Sequence, residues 1–189
     1  MPTYFTLDSD YLYTLFELLE ELGISPIVLC HRQGVSVPKE GPVSFTIVNK
    51  LVKEIAHTHQ LPQIGLLLGM RMGASQHGFL GYAAKSSKTI ADGLIIDEQY
   101  IVSRINGVKL KVVWVAGVCR ITLLVQDELH DINAFVVELV FASLIRFFRE
   151  MFPHNKLTAS VAVTYSQPGY ARLYKELTSL DWRFNQNSN

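Results

Sequence analysis

Residues Asn106–Val125, NGVKLKVVWVAGVCRITLLV, decide the fold class. Val108, Leu110, Val112 and Trp114 alternate with Lys109, Lys111, Val113 and Val115, the period of two that belongs to a strand. Ala116-Gly117 makes a tight turn, and Val118–Val125 returns as a second strand, so the segment predicts a hairpin. Asn106-Gly107 closes whatever precedes it.

Upstream of the hairpin the period is helical. Asp8 or Ser9 offers an N-cap, Leu12, Leu15, Leu19 and Leu22 follow on one face, and Gly23 stands where a C′ glycine belongs. Ile27–Cys30 predicts another helical turn, and Gly34–Pro42, with two prolines, a loop. Ile47, Val48, Leu51, Val52 and Ile55 mark a second long helix ending before Pro62. Then comes Leu61–Thr89, LPQIGLLLGMRMGASQHGFLGYAAKSSKT. Gly65, Gly69, Gly73, Gly78 and Gly81, with Gly93 beyond, imply close backbone approach or positive φ. Two short helices are predicted, about Pro62–Gly69 and Gly78–Ser86. Thr89 and Asp92 form a capping box for a helix running to Ile105.

Downstream, Asp131 is placed to cap a long apolar helix, Ile132–Phe152. Its polar stripe of Glu138, Arg146, Arg149 and Glu150 reads as solvated. Leu157–Tyr165 predicts a strand, Gln167-Pro168-Gly169 a turn, Tyr170–Leu177 a helix and Asp181–Phe184 a last strand. The order, helices then ββαβαβ, predicts an α+β fold. A helical part, about residues 7–106, packs on a small, mostly antiparallel sheet in about 107–185 of one domain.

The 189 residues are 49% hydrophobic and 18% charged, which excludes disorder. Lys plus Arg equals Asp plus Glu, at 17 each. A self-sufficient nucleic-acid binder draws its affinity from a basic excess, so any action on DNA needs another segment. Cys30 and Cys119 form no CxxC, the N-terminus lacks the apolar run of a signal peptide, and no uncharged apolar stretch reaches membrane-spanning length. A reduced, cytoplasmic protein without a membrane span is expected.

Catalytic and metal motifs are absent from the sequence: no GxSxG, HExxH or GxxxxGK[ST]. His57 and His59 are two apart on a helix and face apart; His31, His77, His130 and His154 show no ligand spacing. No metal or cofactor is expected. Arg71 reads as a helix cap or surface ion pair. Arg120, on the hairpin face shared with Val118, Thr122 and Leu124, either faces solvent or meets an anion. Phe79, Tyr82, Tyr100, Trp114 and Phe141 are economically core and would equally wall an apolar cavity.

Leu61-Pro62-x-Ile64-Gly65-Leu66-x-Leu68-Gly69-x-Arg71-x-Gly73, then Gly78-Phe79-Leu80-Gly81-Tyr82-Ala83 and Ser86-Ser87-x-Thr89, resembles the N-terminal effector domain of AraC/XylS-type transcription regulators. The branch is the one labelled "arabinose-binding domain". Leu22-Gly23-Ile24, Leu144, Arg146, Phe147-Phe148, Tyr165, Pro168, Tyr170, Tyr174 and the closing RFNQNSN extend the likeness. Gly93 departs from it, standing where the family tends to alanine; inside a helix it costs about 1 kcal/mol. The resemblance implies a non-enzymatic, homodimeric sensor in which an apolar or carboxylate-bearing effector binds between helices and sheet. Phe79, Tyr82, Tyr100, Trp114, Arg120 and Phe141 are its expected contacts. DNA would be reached through a C-terminal helix-turn-helix domain lying outside this sequence. A stand-alone binding or carrier module of the same fold is the alternative.

Overall fold

A computed structural model describes residues 5–36, 40–153 and 158–189. His154, Leu157 and part of the Gly34–Pro42 loop fall outside the described residues.

The core is organised around α7 (Asn133–Met151), buried over most of its circumference. α1 (Ser9–Glu21), α2 (Pro26–Gln33), α3 (Phe45–Thr58), α4 (Ile64–Arg71), α5 (Gly78–Lys85) and α6 (Ile90–Tyr100) precede it. The glycine string explains how α4 meets α7. A Cβ on Gly65 would lie 2.6 Å from the Phe135 carbonyl oxygen; one on Gly69 would lie 2.6 Å from the Ala142 Cβ and 2.7 Å from the Leu139 oxygen. Only glycine lets these two backbones come so close.

The caps are as the sequence predicts at α1 and α6. Asp8 accepts from the Asp10 N–H at 3.0 Å, and Gly23 has φ 76°. Thr89 accepts from the Asp92 N–H at 3.1 Å. The hairpin is also as predicted. β4 (Val108–Val115) pairs antiparallel with β5 (Val118–Val125), Leu110 opposite Leu123, and both turn residues, Ala116 and Gly117, have positive φ. α8 (Ala171–Thr178) follows, and β6 (Ser160–Ala162) pairs with β7 (Asp181–Arg183) in parallel. Arg71 makes the expected surface ion pair, a two-pronged contact with Glu21.

Four expectations need correction. The fold is α+β, but its strands form three small sheets among the described residues rather than one. The first of these combines segments too short to show alternation: β1 (Thr6–Asp8) lies between β2 (Pro42–Ser44) and β3 (Ile105–Asn106). The helix from Ile90 stops at Tyr100, where a 3-10 turn and β3 take over, because Ile105 is drawn onto β1. Asp131 does not cap α7. It pairs with Lys53 at 2.6 Å, and a 3-10 turn over Asp127–Ile132 leads directly into the helix.

Most consequentially, three of the four residues of the stripe on α7 are not simply solvated. Glu138 is fully buried. Arg149 donates to the Leu177 carbonyl at 2.9 Å and also to that of Thr178. Glu150 accepts from Lys85 at 2.8 Å and from the Ala74 N–H at 3.2 Å.

Candidate functional site

An enclosed cavity of about 30 Å³ lies where the helical part meets β4 and α7. Its walls are largely apolar, with Leu80, Ile101, Ile105, Leu110, Val140 and Phe147 among them, and Tyr11, His77 and Asp97 bring polar groups to it. Each comes from a different element: Tyr11 from the buried face of α1, His77 from the turn entering α5, and Asp97 from α6. Its volume is one water molecule's share of liquid.

The Tyr11 hydroxyl pairs with His77 Nδ1 at 2.6 Å, and the two rings meet edge to face at 5.5 Å. Burial pushes the tyrosine's pKa upward and lowers that of His77 to about 4, the Arg104 charge adding to the second effect. The imidazole is therefore neutral at pH 7. With the hydroxyl as donor its proton sits on Nε2.

Arg104 flanks the pair, with its guanidinium carbon 5.4 Å from the centre of the Tyr11 ring. It donates to Asp8 at 2.9 Å, to Asp10 at 2.8 Å and to the Gln76 carbonyl at 3.1 Å. Desolvation works against its charge, but the Asp10 and Asp8 carboxylates outweigh that and raise its pKa. Its positive charge is thus already matched.

Asp97 is different. Its half-buried carboxyl has no hydrogen-bond or ion-pair partner among the described residues, and desolvation raises its pKa to about 7. A half-buried carboxyl without such a partner, beside a neutral pair and an arginine whose buried Nε is unpartnered among the described residues, is a group at this cavity that can take a donor or a cation.

The sequence-named contacts do not assemble here. Phe79 is 88% exposed and Tyr82 59%, both on the outer face of α5; Tyr100 is 55% and Trp114 50% exposed. The core reading of these four therefore fails. Arg120 is exposed on the outward face of β5, opposite Val113. Only Phe141 is buried, and it faces Trp182 at 6.4 Å rather than the cavity. Sequence reasoning missed Tyr11, His77, Asp97 and Arg104. The available signals were an acid, Asp97, directly after Ile95-Ile96, and a histidine set among the glycines.

The family model described as "Arabinose-binding domain of AraC transcription regulator, N-term" matches residues 16–189. The chain belongs to this family. Among characterised relatives it is similar to the ornithine utilization regulator of Pseudomonas aeruginosa, 27% identical over 182 residues that cover 93% of this chain and 53% of that protein. Among solved structures it resembles the transcriptional regulator CdpR from Pseudomonas aeruginosa. The TM-score is 0.65 at 17% identity, over 93% of this chain and 51% of that one. The second likeness speaks for the fold alone. This AraC-type N-terminal domain spans about half the length of both relatives. No helix among its described residues is long and apolar enough to cross a membrane.

Proposed function

We propose that this AraC-type domain senses a small molecule bearing a cationic amine, bound at the cavity between Tyr11, His77 and Asp97. The observation that carries the reading is the Asp97 carboxyl, unpaired among the described residues, at a largely apolar cavity whose other polar groups include the paired Tyr11 and His77. A carboxylate-bearing effector fits less well, since Arg104 is already matched by Asp8 and Asp10. The similarity to a regulator named for ornithine utilization agrees with an amine.

A cavity of this size is a closed state, so a ligand must displace a wall. α6 is the natural one to move: only Gly93 and Leu94 on it are buried, and elements with few buried contacts open at low cost. An effector that binds the opened state more tightly than the closed one then shifts the balance between them. In the whole regulator that shift is read out by a C-terminal DNA-binding domain, and the sensor acts as a homodimer without catalysing a reaction.

Thermal-shift measurements with ornithine, lysine, arginine, putrescine and cadaverine, set against fatty and aromatic acids, test the reading. Stabilisation by at least one amine, lost in Asp97→Asn, is the expected result. Stabilisation by carboxylic acids alone, or by none of these compounds, refutes it. A stand-alone carrier of the same ligand differs in one respect, in that binding would leave the affinity of the full regulator for its DNA unchanged.

A further inference from the structure

The second unusual carboxyl lies on the far face of α7, away from the cavity. Glu138 is wholly enclosed, yet every partner it has comes from another element. The Tyr170 hydroxyl donates to its Oε1 at 2.6 Å, and the Tyr174 hydroxyl donates to the same oxygen. The Leu66 N–H donates to Oε2 at 3.1 Å. That N–H belongs to the first turn of α4, which has no side-chain cap of its own. Glu138 thus caps α4 from across the core. Gly65 makes this possible, since a Cβ there would sit 2.9 Å from the Glu138 oxygen.

The same helix holds α8 at both ends. Glu138 takes Tyr170 and Tyr174 near its start, and Arg149 takes the last carbonyls, Leu177 and Thr178. α8 in turn carries β7. Trp182 packs tilted against Tyr174 with ring centres 4.5 Å apart and donates to Thr178 Oγ1 at 3.0 Å.

We propose that Glu138 is a proton-operated latch, in which gain or loss of one proton at its carboxyl sets how tightly α8 and β7 are held on α7. Three donors converge on an anion with no cation beside it among the described residues. The groups facing Glu138 are Tyr170, just before α8, Tyr174 on α8, Tyr165 through its 3.2 Å contact with Tyr174, and the Leu66 N–H of α4. All three tyrosines are held above their ordinary pKa, desolvation first and the Glu138 charge next, so they stay protonated. Ionisation therefore places in the core a charge met by hydrogen bonds but by no counter-ion among the described residues, and the packing must loosen to hydrate it. Burial raises the carboxyl to about 7, against the pull of its hydrogen bonds, which brings the switch to physiological pH.

Trp182 reports the latch directly. Trp114→Phe leaves it the sole tryptophan of the two in the chain. In that background, a pH titration of tryptophan emission from 5.5 to 8.5 is expected to show one transition near pH 7, with far-UV circular dichroism unchanged. Glu138→Gln should abolish it. Tyr170→Phe, which removes a donor to the ionised form, should move the midpoint upward. Asp97→Asn should leave it in place, which separates this latch from the effector site. No transition in the parent, its persistence in Glu138→Gln, or an unmoved midpoint in Tyr170→Phe would overturn the proposal. Should Glu138→Gln not fold, the tyrosine variant alone decides.

Discussion

Asp97 and Glu138 are both carboxyls lifted to about 7 by burial, yet they ask for different things. Glu138 has three donors and lacks only solvation; Asp97 has no hydrogen-bond or ion-pair partner among the described residues. For an amine bound at Asp97 the carboxylate form is required. Affinity should fall below pH 7, by up to about tenfold per pH unit, and be flat above pH 8. Isothermal titration calorimetry across this range checks the slope.

Stability has its own sign at these residues. A carboxyl whose pKa is raised by folding stabilises the native state at low pH, and that contribution is lost as pH rises from its ordinary value toward about 7. Glu138 and Asp97 both act in this direction. His77, lowered to about 4, acts oppositely: its penalty applies at acid pH and disappears as pH rises toward 6.5. Urea unfolding of Glu138→Gln at pH 5 and pH 7.5 separates them. The variant should lose less stability than the parent between those values, by roughly 1–3 kcal/mol.

Among the elements, α4 shows how far sequence carries. Its glycines announce a close helix crossing, and the crossing is there, on α7. Gly69→Ala would drive a Cβ into backbone and into Ala142, and should cost at least about 1–3 kcal/mol in chemical denaturation. Gly93→Ala is the contrast. Its Cβ would meet the Ala84 oxygen at 3.3 Å, a contact a small shift relieves, while the helix gains about 1 kcal/mol of propensity. Near-neutral stability is expected there.

Helices and hairpin were legible because their periods and caps are local. Three-residue strands such as β1 and β2 were not, since their pairing is decided by partners far along the chain. The stripe on α7 misled for a related reason. Polar residues on an apolar helix look like a solvent face, yet three of the four, Glu138, Arg149 and Glu150, are the attachment points for α4, α5, α8 and the turn at Ala74. The cavity groups were hidden likewise, because Tyr11, His77 and Asp97 converge only after folding.

For the whole molecule, the aromatics named from sequence change their meaning. Phe79, Tyr82, Tyr100 and Trp114 are exposed on the surface, where large apolar side chains are available for contact with other protein. On the proposed function they suit self-association better than effector contact. Light scattering on the Phe79→Ser, Trp114→Ser double variant should show a weakened dimer with ligand-induced stabilisation retained. A dimer of unchanged strength would assign association to another face.

The most direct test of the sensor site is native mass spectrometry of the purified domain and its Asp97→Asn variant, each with ornithine, putrescine and a matched set of carboxylic acids. One bound amine per protomer in the parent, absent in the variant, is the predicted result. Equal amine binding by both proteins, or no binding by the parent, would contradict it.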